Sequence, residues 1–115
     1  MKNRDPRIFL KDIIDSIEKI ESFTADMKYR DFFQDDKTVS AVVRKLEIIG
    51  EAVKNLPDDI RLKNKIIPWR EMAGMRDKLI HWYFKVDFKL IWKVIKEDLQ
   101  NIKPSLIGIL DDLEK

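Results

Sequence analysis

From Phe88 to Leu113 the apolar residues Phe88, Ile91, Ile95, Leu99, Ile102, Leu106, Ile109 and Leu113 are separated by threes and fours throughout. Only an α-helix returns side chains to one face at that spacing, so this stretch must be helical and must bury one stripe. Asp87 stands where an N-cap belongs. Pro104 lacks a backbone donor and disfavours helix at the residue before it, which predicts a break near Asn101-Ile102-Lys103 and two consecutive helices.

The same period runs through the earlier chain. Asp5 followed by Pro6 is a cap followed by proline at a first helical position, and Phe9, Ile13, Ile14, Ile17 and Ile20 form the stripe behind them. Thr24 is placed to cap a short helix reaching Phe33, which adds Met27, Tyr29 and Phe32 or Phe33 to the core. Asp35 or Asp36 caps a second long helix carrying Val39, Val42, Val43, Leu46, Ile49, Val53 and Leu56, stopped before Pro57. Gly50 lies in the middle of it at a cost of about 1 kcal/mol against alanine, which predicts close approach of another backbone at that level. A short turn starts at Pro57-Asp58-Asp59-Ile60. Ile67-Pro68-Trp69-Arg70-Glu71 then opens a third long helix that holds Met72, Ala73, Arg76, Leu79, Ile80 and Tyr83, with Gly74 as its small packing residue. No segment alternates as a strand would. The expectation is an all-α protein, an antiparallel helical bundle with extra short helices, forming a single domain over residues 1–115.

The chain has no cysteine and one histidine, so neither a disulfide scaffold, a zinc ribbon nor thiol chemistry is open to it, and no metal site is expected. Met1 to Pro6 does not resemble a signal peptide and no apolar run approaches membrane-spanning length, so a cytoplasmic location is expected. The formal charge of +2 is unevenly spread: residues 61–96 hold ten Lys/Arg against three acids, a net +7, which leaves −5 for the remainder. A basic segment in an acidic chain is the footprint of a polyanion binder, although solvated helix faces produce charge runs too.

The histidine, His81, lies inside that basic segment, five residues after Arg76 and two before Tyr83. On an ideal helix five residues turn about 500° and rise ~7.5 Å, leaving Arg76 and His81 about 140° apart. They reach one reacting group if the helix loosens near its end, or if two copies of the chain meet and share a cleft across a two-fold axis. A group that titrates near neutrality beside a fixed cation, with no metal, suits cleavage of RNA by its own 2′-hydroxyl. A structural imidazole satisfied by a neighbour is the alternative for His81, and an amphipathic tyrosine at the edge of the core is the alternative for Tyr83.

Arg76, four residues, His81, one residue and Tyr83 resemble the signature of the HEPN superfamily. Leu46-Glu47-Ile48-Ile49-Gly50-Glu51-Ala52, the run Ile67 to Arg76, and Val86-Asp87 with Trp92 are similar to its HepT branch of toxins. The resemblance implies a four-helix-bundle-like fold that forms a homodimer and acts as a metal-independent RNA endonuclease without a cofactor, with Arg76 and His81 as the catalytic pair. It further implies the toxin component of a type VII toxin–antitoxin system, paired with an MntA-like nucleotidyltransferase antitoxin that attaches AMP to Tyr83. Many such relatives have asparagine after the arginine, where this chain has Asp77, an anion able to orient the pair or to weaken phosphate binding. Arg70, Lys78 and Lys85 are the candidates for contacting RNA. A different class of function also fits the same residues, a non-catalytic nucleotide-binding or substrate-holding subunit that serves a nucleotidyltransferase.

Overall fold

Asp5 opens the first helix as its spacing predicts, its carboxylate accepting a hydrogen bond of 3.0 Å from the Arg7 backbone N–H. In the computed structural model, which describes residues 4–81 and 85–115 but not the side chains of residues 76, 79–81, 85 and 86, α1 runs Pro6–Phe23. Thr24 closes this helix and caps nothing after it: its hydroxyl donates back to the Ile20 carbonyl at 2.9 Å. The short α2, Tyr29–Gln34, instead begins where Asp31 accepts from the Lys28 N–H at 2.9 Å. Of its two phenylalanines Phe32 is buried and Phe33 is exposed.

Asp35 caps α3, Asp36–Asn55, accepting from both the N–H and the hydroxyl of Thr38. Leu56 in extended conformation ends it before Pro57, and α4 follows over Asp58–Lys63. The faces of α1 and α3 that carry Leu10, Ile13, Ile17, Leu46, Ile49 and Val53 pack together as the centre of the core.

The expected third long helix is broken into two. α5 covers only Trp69–Ala73 and α6 only Met75–Leu79, with Gly74 between them. Gly74 does not serve helix packing, since a β carbon there would meet only the Arg70 carbonyl oxygen at an ordinary 3.6 Å. It marks the place where the helix stops. After Leu79 the backbone becomes extended, and β1, Ile80–His81, pairs antiparallel with β2, Lys85–Val86, in the register Ile80 with Val86 and His81 with Lys85. Ile80-His81-Trp82-Tyr83-Phe84-Lys85-Val86 is rich in β-branched and aromatic residues, which lose side-chain freedom in a helix and favour strands. That bias outweighs the helical spacing of Arg76, Leu79, Ile80 and Tyr83.

Asp87 caps α7, Phe88–Lys93, through its bond from the Leu90 N–H. A π-helical turn, Val94–Asp98, joins it without a break to α8, Leu99–Leu113. Pro104 therefore neither ends nor splits the last helix. Leu99, Leu106 and Ile109 on either side of it are buried, and α8 packs along α1, so burial on both sides holds the backbone helical through one missing hydrogen bond. The irregularity sits upstream, where Ile91, Ile95 and Leu99 are spaced by two successive fours. Each four overshoots a full helical turn by about 40°, and a turn widened to i→i+5 absorbs the drift.

Polar ties fasten this last helical run to the first helix, Lys11 with Glu114 at 3.2 Å among them. Lys103 bridges Glu21 at 3.0 Å and Glu18 at 3.4 Å. Lys96 donates to the carbonyl and hydroxyl oxygens of Thr24 at 3.0 and 3.2 Å and lies over the Trp92 ring. Trp92 in turn packs on Phe32 and Tyr29, which binds α2 to α7. The protein is all-α in class, a helical bundle with one two-residue strand pair among the described residues. No helix among the described residues is long and apolar enough to cross a membrane.

Candidate active site

The Arg76-to-Tyr83 motif lies where α6 hands over to β1. Arg76 is the second residue of α6, and His81 is the second residue of β1, past the helix end. The angle of about 140° calculated for a continuous helix therefore does not apply to this pair. The histidine leaves the helix, and its backbone is paired with that of Lys85. Tyr83, the expected AMP acceptor, lies outside the described residues, as do the side chains of Arg76, His81 and Lys85.

What holds α6 in place is a close backbone contact. The carbonyl oxygens of Ala73 and Met72, at the end of α5, would lie 3.1 and 3.3 Å from a β carbon at Gly50. The glycine in α3 thus provides the seat for α5, as its mid-helix position predicts. At the other end of α5, the buried Trp69 donates from Nε1 to the Asn64 carbonyl at 3.0 Å, and Asn64 donates to that of Ile60 at 2.8 Å. The basic connection after α4 is tied to the start of α5 by this relay.

The remaining expected site residues are not brought into one pocket. Asp77 faces a cavity of about 380 Å³ between α6 and α3, shared with Arg44, Glu47, Gly50, Glu51 and Asn55. Lys78, the next residue, lines a different cavity on the far side of α6, bounded by α7, the π turn and α8. Arg70 lines a third, open hollow with Arg61, Lys65 and Trp69. Successive helical residues point about 100° apart, so α6 serves as a partition with chemistry on both sides. Sequence reasoning did not single out Arg44, Asn55 or Asn101 as lining residues. Arg44, Glu47, Glu51 and Asn55 do recur at helical spacing as one polar stripe of α3, but only the tertiary seat of α5 shows that this stripe faces α6.

The basic segment is also partly consumed by the fold. Arg61 pairs with Asp58, Lys93 with Asp98 at 3.0 Å, and Lys96 with Thr24. Asp98 holds the Lys93 ammonium charged to higher pH than usual. Lys63, Lys65, Arg70, Lys78 and Lys89 are exposed and form no ion pair among the described residues, which leaves them available to a polyanion. Among the described residues no His, Asp or Glu cluster is arranged to hold a metal ion.

A helical bundle with an arginine–histidine motif at a helix end, in a chain segment with exposed lysines and arginine, has the character of a phosphodiester-processing protein. Comparison with known proteins makes the assignment specific: residues 13–109 match the family described as "Ribonuclease HepT-like", and the chain belongs to that family of ribonucleases. It is 52% identical over 112 residues to the "Probable ribonuclease HepT" of Thermococcus cleftensis, a match covering 97% of this chain and 98% of that protein. A Methanocaldococcus jannaschii protein named "Putative RNase" is 47% identical over 115 residues, covering 100% of this chain and 99% of the relative. Another from that organism, named "Gamma-glutamylcyclotransferase and putative RNase", is 46% identical over 112 residues; the match covers 97% of this chain but 50% of that protein. No solved structure matches.

Proposed function

We propose that this chain is a metal-independent RNA endonuclease, the toxin of a type VII toxin–antitoxin pair, with Arg76 and His81 as its catalytic groups. The observation that carries this reading is the placement of the motif in a chain of the ribonuclease HepT-like family: α6 ends at Leu79, so His81 is released from the helix that carries Arg76. His81 takes the proton of the 2′-hydroxyl, the 2′-oxygen attacks the adjacent phosphorus, and the bond to the 5′-oxygen of the next nucleotide breaks as that oxygen takes a proton from water, which the His81 imidazolium then restores. Arg76 offsets the charge that builds on the phosphoryl oxygens. The products are a 2′,3′-cyclic phosphate and a 5′-hydroxyl. Exposed Arg70 and Lys78, with Lys85, recruit the RNA backbone.

A homodimer and silencing by an MntA-like nucleotidyltransferase belong to the same reading and are supported by the HepT resemblance. Transfer of AMP to Tyr83 would place a bulky anion between the motif and its substrate, blocking access and lowering the positive field.

The test is RNA cleavage by purified protein in EDTA, comparing wild type with Arg76→Ala and His81→Ala. Both variants should lose cleavage while keeping the wild-type sedimentation coefficient. Undiminished cleavage by His81→Ala overturns the reading. Retention of labelled ATP without cleavage of RNA would instead favour a nucleotide-holding subunit.

A further inference from the structure

The cavity on the Lys78 side of α6 is unlike the one beside Asp77, and the cleavage step makes no use of it. Its volume is about 490 Å³, within the range of small-molecule sites. Its walls are apolar: Met72 from α5, Met75 from α6, Val94 from the π turn, and Leu99 and Ile102 from α8. Glu71 and Asn101 bring hydrogen-bonding groups to its rim. Two lysines border it, but Lys93 is held by Asp98 across the π turn, so Lys78 is the cation left for a ligand.

We propose that this cavity receives one unstacked nucleobase of the RNA substrate, a base bearing an exocyclic amino group, with Lys78 on the adjoining phosphate. The proposal rests on the ribonuclease reading above and adds to it a subsite that sets where cutting occurs. Apolar walls contact the face of any base, and methionine adapts well to aromatic rings. Discrimination falls to the rim. The Glu71 carboxylate accepts only, and the Asn101 amide both donates and accepts, so an amino group is satisfied there. Uracil presents a carbonyl in its place, which faces the carboxylate acceptor to acceptor and leaves only the ring N3–H to donate. Lys78 follows Arg76 by two residues on the same helix, so the base that is held here decides which phosphate is presented to the motif.

The full chain is tested with single-stranded 2′-O-methyl oligoribonucleotides, which bind but cannot be cut because the nucleophile is blocked. Sets differ at one position, occupied by A, C, G, U or an abasic sugar, and that position is moved along the strand. At one position wild type should bind the abasic strand roughly tenfold more weakly than its best base, as expected for one base–protein contact, with uracil below the amino-bearing bases. Ile102→Trp fills the cavity with an indole and should abolish the base dependence. Asn101→Ala lies on the exposed rim, so it tests the site without threatening the fold, and should narrow the gap between uracil and the other bases.

Equal binding of all five strands by wild type, or unchanged discrimination in both variants, overturns the proposal. A change of sedimentation in Ile102→Trp with base dependence intact places a second copy in the cavity and overturns it too. Base-dependent binding without RNA cleavage by wild type sinks the ribonuclease reading but leaves the base site standing. Cleavage without base dependence does the reverse.

Discussion

The carbonyl oxygen of Ala73 stands 3.1 Å from where a β carbon at Gly50 would be. The backbone of α5 rests directly on that of α3 there, and α6 with Arg76 begins two residues after Ala73. The height of the motif above the core is thus set by a side chain that is absent.

Identical substitutions at two glycines should have opposite signs. Gly50→Ala gains about 1 kcal/mol of helix propensity, but its methyl group meets two carbonyl oxygens of a helix that can yield only by moving as a unit. Overpacking of this kind costs about 1–3 kcal/mol, so net destabilisation of up to about 2 kcal/mol is expected, with a fall in RNA cleavage as α6 shifts. Gly108 lies in α8 with nothing within 4 Å of its β-carbon position, and Gly108→Ala should stabilise by up to about 1 kcal/mol without affecting cleavage. Urea melts of both variants decide it, and a stabilised Gly50→Ala would refute the seat.

Lys96 counts toward the basic segment, yet its ammonium is occupied by the buried Thr24 and the Trp92 ring. Lys96→Met keeps the apolar stem and removes the hydrogen bonds, leaving the Thr24 carbonyl with the Met27 N–H as its partner. A loss of about 1–2 kcal/mol is expected for a charged hydrogen bond to a part-buried acceptor. Binding of RNA at low salt should not change. A variant that weakens RNA binding at full stability would return Lys96 to the RNA surface.

Much of this architecture is legible in the sequence because it is locally encoded. The caps at Asp5, Asp35 and Asp87, the stripes of α1 and α3, and the demand of Gly50 for a close neighbour all follow from residue type and spacing. The stretch from Trp69 to Val86 is not, because it satisfies two periods at once. Arg76, Leu79 and Tyr83 fit a helix while Ile80 to Val86 fits a strand, and the pairing of Ile80 with Val86 is a contact that spacing alone cannot weigh. Pro104 misleads for a related reason: local chemistry argues for a break, but buried residues on both sides of it keep the helix intact. The two cavities flanking α6 depend on which helices meet, so Asp77 and Lys78, neighbours in sequence, could not be assigned to opposite sides in advance.

Acid should loosen α3 at its first turn. The N–H of Thr38, then its hydroxyl, hold the Asp35 carboxyl below the ordinary carboxylate range, and the Arg7 side chain and N–H lower Asp5 to about 2. A folded-state pKa below the unfolded value means that both groups contribute fully above the unfolded value near 3.8. The contribution is lost as pH falls through that value towards the folded one. Asp35→Asn keeps an acceptor at the cap but cannot titrate, so its Tm should fall less than that of wild type between about pH 5 and pH 2.5, the window in which aspartate protonates. Parallel curves for the two proteins would show that this cap carries no acid sensitivity.

The hydroxyl of Tyr83 should be the point at which the proposed ribonuclease is switched off. In the transfer, the tyrosine oxygen attacks the α-phosphorus of ATP, its proton leaves, pyrophosphate departs, and AMP remains as a phosphodiester on the ring. The group lands two residues from His81, within the segment 61–96 that carries ten Lys/Arg against three acids. An adenylyl anion there both occupies the approach to the motif and opposes the field that draws in RNA. Coexpression with an MntA-like nucleotidyltransferase should raise the intact mass of wild type by one or more AMP increments and abolish its RNA cleavage. Tyr83→Phe should keep its unmodified mass and remain active under the same coexpression. If Tyr83→Phe is still modified and silenced, the acceptor is another residue; if wild type gains AMP yet cleaves RNA at an undiminished rate, modification at this position is not the switch.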